Sequence, residues 1–301
     1  LQKFARTVLK TNNIDHHRSG DVVTLLDSLS GKTATLGTSD DCYNSKAVLI
    51  VGADLSQQQP FLANQIRANY RHHKAGVYVA TAGPVREDKI AKGSVRTTDS
   101  DWLSGVESLR EKLKGESELL VLFGDSVKGE GVRKLVAFGE SLGIPVKYIC
   151  LVDYVNSRGA MDMGLLPDLG PGYHATEGAP GLTLPQIMAA TDLDLLWVVG
   201  ANPLARHKLA SEKAFVVVQD LFLTETAWLA DVVLPASAWP EKWGTATNTD
   251  RMVQLGRPAV APPGEARRDL WILQRMAQGL DRKSTRLNSS HVALSRMPSS
   301  A

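Results

Sequence analysis

The chain is short of cysteine and of long apolar runs, and each shortage removes a class of protein. Cys42 and Cys150 are the only cysteines in 301 residues. Two thiols cannot build a disulfide framework, and they cannot ligate an iron–sulfur cluster by themselves. No apolar stretch reaches the roughly 18 residues that a membrane helix needs, so no direct membrane insertion is expected. No G-x-G-x-x-G fingerprint, P-loop or G-x-S-x-G elbow occurs, so neither nucleotide binding nor serine hydrolysis is signalled by motif. The first residue is Leu1, not Met, and it stands in a helical pattern. That start is expected of a piece whose upstream part lies outside the sequence given.

What is present is ordinary for a globular protein: 43% hydrophobic and 22% charged residues, with a formal net charge of +2. The length gives a prior of two domains. The positive sign is local. Arg282, Lys283, Arg286 and Arg296 fall in the serine-rich stretch 282–301, which has no acidic residue. Without those four, 30 basic residues face 32 acidic ones. A basic arm for nucleic acid or lipid is the functional reading of that stretch. A disordered, non-native tail is the plainer one and is the expectation, so no nucleic-acid partner follows.

Short runs rich in Val, Leu and Ile recur along the body: 47–51, 77–80, 119–123, 146–151, 195–199, 215–218 and 231–234. They are continuous instead of alternating, which predicts strands buried on both faces of a parallel sheet. Between them lie helical stripes. One comprises Phe61, Leu62, Ile66 and Tyr70 after Pro60; another Trp102, Val106, Leu109 and Leu113; a third Val132, Leu135, Val136 and Leu142, stopped by Gly143 and Pro145. The alternation predicts βαβ units and an α/β fold of two Rossmann-like lobes with mostly parallel sheets. VLIVGADLSQQQP (48–60) echoes LWVVGANPLARH (196–207), with Gly52 matching Gly200. The expected division is an entry segment at 1–45, a first lobe at 46–152, a Gly/Pro-rich connection at 153–190, a second lobe at 191–281, and the tail.

Candidate ligand loops follow the strands directly at Gly52–Asp54, Gly124–Ser126 and Gly200–Asn202. Ligands bind at the carboxyl ends of such strands. Plain structural turns explain the same glycines. Asp220, Thr224, Glu225 and Thr226 cluster after another strand; the cluster can present acceptors to a ligand, but a helix cap by Thr224 is the better reading. His16-His17 and His72-His73 are adjacent, a poor spacing for metal ligands on a helix. Cys150 reads as a core residue, and the carboxylates of Asp40 and Asp41 disfavour a thiolate at Cys42. Residues 243–254, WGTATNTDRMVQ, read as a hairpin or an extended lining segment.

Several segments resemble one family. LQKFARTVLKTNNIDH (1–16) is similar to a segment of the molybdopterin oxidoreductase superfamily, and VVVQDLFLTETAWLADVVLPASAWPEKWGTATNTDRMVQ (216–254) to its long C-terminal signature. NSRGAMDMGLLPDLGPGY (156–173) resembles the large iron–sulfur subunit of proton-pumping NADH:quinone oxidoreductases, respiratory complex I. The resemblance implies two α/β lobes that each hold half of a pterin dinucleotide. It implies [2Fe–2S] and [4Fe–4S] clusters upstream of this chain, none within it, and a metal-binding thiolate shortly after the NNIDH segment. Residues 16–23, HHRSGDVV, carry no such cysteine. The carboxylate that the family places after its second strand is also missing from Ala80–Pro84.

The expectation is therefore a scaffold region of the large iron–sulfur subunit of complex I, derived from a molybdenum enzyme and without molybdopterin. It would sit on the cytoplasmic side of a bacterial inner membrane, its partners being the other peripheral-arm subunits. Catalytic residues and metal ligands are expected to be absent. Gly52, Asp54, Gly200, Asn202, Asp220 and Thr224 are the candidates for a relic cofactor crevice. The alternative is an active molybdopterin oxidoreductase of the formate dehydrogenase alpha kind, in which Asp21 would ligand the metal. A free-standing nucleotide-binding α/β protein is the third reading.

Overall fold

A computed structural model describes residues 1–98 and 100–280. The tail expected at 282–301 lies outside the described residues. The chain divides into two compact units. Among the described residues, one comprises 18–158 and 247–253; the other comprises 1–17, 159–246 and 254–280. Residues 18–45, expected in the entry segment, pack instead with the first lobe, because the strand and helices they form belong to its sheet and its two cores.

The first lobe is built on a six-stranded sheet. Its strands are β1 (Thr35–Leu36), β2 (Ala47–Val51), β3 (Gly76–Thr81), β4 (Gly93–Arg96), β5 (Leu119–Phe123) and β6 (Val146–Cys150), arranged β1-β6-β5-β2-β3-β4. All five pairings are parallel. The chain order reverses between β2 and β5, the switch point at which open α/β sheets leave a crevice. Helices α1 (Val22–Leu29), α2 (Ser39–Asn44), α3 (Leu55–Gln58), α4 (Pro60–His73), α5 (Trp102–Ser108), α6 (Arg110–Lys114) and α7 (Glu130–Ser141) cover it.

The strand runs are continuous because successive residues serve different cores. Leu49, Val51, Tyr78, Val121 and Phe123 pack with Val106, Leu113, Leu135 and Val136. Their neighbours Val48, Ile50, Val77, Val79 and Leu122 pack with Cys42, Leu62 and Ile66. Every residue of β2, β3 and β5 is buried. Two faces covered by helices leave no place for a polar alternation. The edge strands β1 and β4 are not visible as apolar runs, since their patterns are half exposed.

The second lobe is smaller. After α8 (Ser157–Asp162) and α9 (Leu184–Ala189) come β7 (Leu195–Val199), β8 (Phe215–Asp220), α10 (Glu225–Trp228) and β9 (Val232–Pro235). The three strands pair in parallel in the order β7-β8-β9. One face packs Leu196, Val198, Val216 and Val218 on Ile187, Met188 and Ala227. Trp197 of β7 meets Phe4 edge-on, with ring centroids 5.1 Å apart, beside Leu273 and Ala277 of α11 (Asp269–Leu280). Of the two readings of 243–254, the hairpin is the one found, with β10 (Gly244–Thr247) paired to β11 (Val253–Gly256).

Candidate functional site

Gly52 and Gly200 do the same job in the two lobes. Each directly follows a parallel strand, Gly52 the central β2 and Gly200 the edge strand β7, with a left-handed φ of +59° and +57° respectively. Each donates its amide across to the next parallel strand, Gly52 to Ala80 O at 2.9 Å and Gly200 to Gln219 O at 2.8 Å. This backbone device underlies the sequence echo, and glycine supplies it without steric cost. The surroundings differ. A Cβ on Gly52 would lie 2.0 Å from Ser126 Oγ, whereas nothing lies within 4 Å of one on Gly200. Gly124 closes the switch point from the other side, its Cβ position 2.5 Å from Gly52 O.

The two lobes also share a carboxylate that reaches back to the glycine loop. In the first, Asp54 caps α3 by accepting from Ser56 N at 3.1 Å. Ser56 Oγ donates to Glu87 Oε1 at 3.0 Å, and Arg67 bridges to the same oxygen at 3.2 Å. In the second, Asn202 Nδ2 donates to Glu225 Oε2 at 2.5 Å, while Asn202 Oδ1 accepts from Thr226 N and Thr226 Oγ1. The Asn202 bond holds the Glu225 carboxyl below its ordinary pKa. Thr224 caps α10 through Ala227 N at 3.3 Å, and Asp220 Oδ1 accepts from Leu221 N at 2.6 Å. Gly52 and Asp54 thus belong to one lobe, and Gly200, Asn202, Asp220 and Thr224 are gathered in the other. Glu87, buried at 1% exposure, was missed from the sequence. The signal was available, since Glu87 follows β3 much as Glu225 follows β8.

Asp21 sits where the metal-ligand reading needs it and is already engaged. Oδ1 accepts from Thr24 N at 3.1 Å, which caps α1, and Oδ2 accepts from Gly129 N at 2.8 Å. The preceding residues are fastened too. Gly20 N donates to Asp125 Oδ1 at 2.7 Å, and Ser19 Oγ accepts from Asp153 N at 2.7 Å. A Cβ at Gly20 would stand 2.2 Å from Leu151 O. Beside α1 lies a cavity of about 240 Å³ whose lining includes Val22, Cys150, Arg158, Asp250 and Arg251. Asp250 is spent on Ser39, accepting from its N at 2.6 Å and its Oγ at 2.5 Å.

Neither cysteine supplies a thiolate. Burial, reinforced by the charges of Asp41 and Asp250, pushes the Cys42 thiol up to about 12. Burial and the Asp21 charge do the same at Cys150, also to about 12. For Cys42 the sequence pointed to the acidic neighbours, and the structure puts desolvation first. Among the described residues, no three His, Cys, Asp or Glu side chains gather as a metal site requires. His72 and His73, near the end of α4, face Tyr43: His72 Nδ1 lies 3.0 Å from its hydroxyl and His73 Nδ1 3.0 Å from its carbonyl. The segment after NNIDH therefore offers capped backbone, with both oxygens of Asp21 accepting amides.

The NNID segment has a different task. Asn12 Nδ2 donates to Glu177 O and Ala179 O at 3.0 and 2.9 Å. Asn13 Oδ1 accepts from Leu182 N at 2.9 Å, and Asp15 Oδ2 accepts from Leu184 N at 2.8 Å. Arg6 donates to the carbonyls of Gly164, Leu166 and Leu169. These side chains strap the irregular stretch between α8 and α9.

Two α/β lobes with matched glycine loops at the carboxyl ends of parallel strands define a class of dinucleotide-type scaffolds. The family model for molybdopterin oxidoreductases matches residues 1–278, and the chain belongs to that family. It is 30% identical to the F420-dependent formate dehydrogenase subunit alpha of Methanocaldococcus jannaschii, over 93% of this chain and 54% of that protein. It is 26% identical to a subunit of the NADH-quinone oxidoreductase of Rhizobium meliloti, over 90% of this chain and 40% of that one. The chain thus spans about half the length of the first of these relatives, and less of the second. By fold it resembles a chain of the formyltransferase/hydrolase complex FhcABCD of Methylorubrum extorquens, with TM-score 0.63 and 17% identity over 87% of this chain and 84% of that one. It also resembles acetylene hydratase of Pelobacter acetylenicus, with TM-score 0.52 and 15% identity over 80% of this chain and 48% of that one. Among the described residues, no helix is long and apolar enough to cross a membrane.

Proposed function

We propose that this chain is a scaffold and docking region of a multi-subunit oxidoreductase, akin to the large iron–sulfur subunit of complex I, in which the molybdenum site has been dismantled. One observation carries the reading. The stretch that in the family resemblance supplies the metal ligand is occupied by Asp21, whose two carboxylate oxygens both accept backbone amides. A carboxylate engaged in this way holds a helix start and a neighbouring loop, and it is poorly placed to ligate a metal. The lack of a carboxylate within 80–84, directly at the end of β3, and the protonated thiols point the same way. Electron transfer from NADH toward quinone would then belong to clusters elsewhere in the assembly. The partners would be peripheral-arm subunits on the cytoplasmic face of the membrane.

The second reading is a molybdopterin-dependent oxidoreductase of the formate dehydrogenase alpha kind. The likeness to the Methanocaldococcus relative favours it, as does the Asn202–Glu225–Thr226 cluster of the second lobe. The test is metal and pterin analysis of the protein purified from cells that make the cofactor, with its copurifying subunits. The scaffold reading expects neither molybdenum, tungsten nor pterin above background. One equivalent of either metal per chain overturns it in favour of the second reading.

A further inference from the structure

The second lobe carries a groove of about 660 Å³ that takes no part in the loops described above. Its walls are Trp243, Trp271, the segment 258–262 with Val260 at its centre, and Arg267 and Arg268. Trp243, Trp271 and Val260 are 52%, 44% and 56% exposed, so the groove is an open surface and no enclosed pocket. Large apolar side chains gathered in one exposed patch mark an interaction site. Tryptophan and arginine are the residues most often dominant at interface centres.

The lining carries two arginines against one glutamate, with the exposed Glu265 in the segment between Pro262 and Ala266. Arg257 lies 5.8 Å from the Trp243 ring centre; Arg267 and Arg275 lie 5.9 and 5.3 Å from that of Trp271. Arg267 and Arg268 belong to the lining itself, and Arg257 and Arg275 flank it beside the two tryptophans. Glu241 is the one acidic residue in the lining, and its Oε2 accepts from Ala238 N at 2.8 Å. The nearby Asp269 is taken by Gln219 and Lys242. Arg267 Nη1 already donates to Gly264 O and Ala266 O at 3.4 and 2.9 Å, and a guanidinium has five donors, so further N–H groups remain to meet a carboxylate. The cationic groove also stands out on a body in which acidic residues slightly outnumber basic ones.

We propose that this groove docks an extended acidic peptide segment that carries aromatic or proline side chains, presented by a partner protein. The Pro258–Pro262 wall and the two tryptophans would take the apolar side chains, and the arginines would take the carboxylates. A single-stranded nucleic acid would use the arginines and the rings but leave the apolar wall unfilled, so the peptide is the better match. This inference stands on the groove alone and does not depend on whether molybdenum is bound.

The experiment is fluorescence anisotropy on the whole chain with a fluorescein-labelled peptide of repeated Glu-Asp-Phe-Pro. The same peptide with Lys in place of the acids and a labelled oligothymidine serve as competitor probes. The acidic peptide should bind saturably and lose affinity as salt rises. The double change Arg268→Glu with Arg275→Glu should weaken it at least about tenfold, and Trp271→Ala by a similar factor. Arg133→Glu, in the other lobe, should leave binding unchanged, and circular dichroism should show each variant folded. Absence of saturable binding, equal binding of the Lys peptide, tighter binding of the oligothymidine, or insensitivity to the arginine changes would each overturn the proposal.

Discussion

At the scale of single residues, the two matched glycines separate strain from crowding. Alanine at Gly200 meets open space, so its cost is the left-handed backbone alone, about 1–2 kcal/mol. Alanine at Gly52 carries the same strain and must also displace Ser126, whose Oγ lies in the way. Gly52→Ala should therefore lower the urea-derived stability clearly more than Gly200→Ala does. Equal losses would mean that the approach of Ser126 carries no energetic weight. The cysteines make a second residue-scale prediction. With both thiols pushed up to about 12, neither forms a thiolate near pH 8. Ellman's reagent should label the folded chain slowly and release two equivalents per chain once urea unfolds it. Rapid native labelling of one thiol would identify an accessible thiolate and reopen the search for a nucleophile.

At the scale of elements, the NNID strap and the capping box of α2 each make a measurable claim. Asn12 holds two carbonyls of the 177–179 turn, and a Cβ at Gly181 would stand 1.9 Å from Asn12 O. Asn12→Ala should thus free the stretch around 177–182, raising its proteolysis and costing about 1–3 kcal/mol in stability. At α2, burial alone would raise the Asp41 carboxyl. The Lys147 ammonium at 2.5 Å and the amide and hydroxyl of Thr38 outweigh it and bring the pKa below its ordinary 3.8. The folded state therefore favours the ionised form. That stabilisation is present above the ordinary carboxylate pKa and is lost as pH falls through the lowered value. Wild-type chain should lose melting temperature on acidification below about pH 4, and Asp41→Asn should lose less over the same interval. The elements themselves were readable where packing imposes a pattern. The doubly buried strands announce themselves as unbroken apolar runs, and Thr224 was legible as a cap from its spacing. Edge strands β1 and β4 were not, because half-exposed strands of two to four residues leave no period to read. Asp21 could be named as a candidate ligand from sequence, but the amide of Gly129 that occupies it comes from 108 positions away, and no local pattern encodes such a partner.

At the scale of the whole molecule, the two units are unequal in what they bury. The larger cores of the first lobe gather 22 and 14 buried apolar residues, against seven and three in the second. The second lobe leaves Phe222, Trp228 and Leu229 at 75%, 73% and 70% exposure. Apolar surface left in water contributes nothing to its stability, at roughly 25 cal/mol for each Å² not buried. A lobe so built gains stability from whatever covers it, which agrees with a region made to dock. Two transitions should therefore appear on heating, the lower one from the second lobe. In hydrogen exchange, the amides of β2, β3 and β5 should be the slowest and those of β7, β8 and β9 should open first. An acidic peptide in the Trp243–Trp271 groove should raise the lower transition and leave the upper one in place. A single cooperative transition, with both sheets exchanging together, would show that the smaller lobe draws its stability from within the chain.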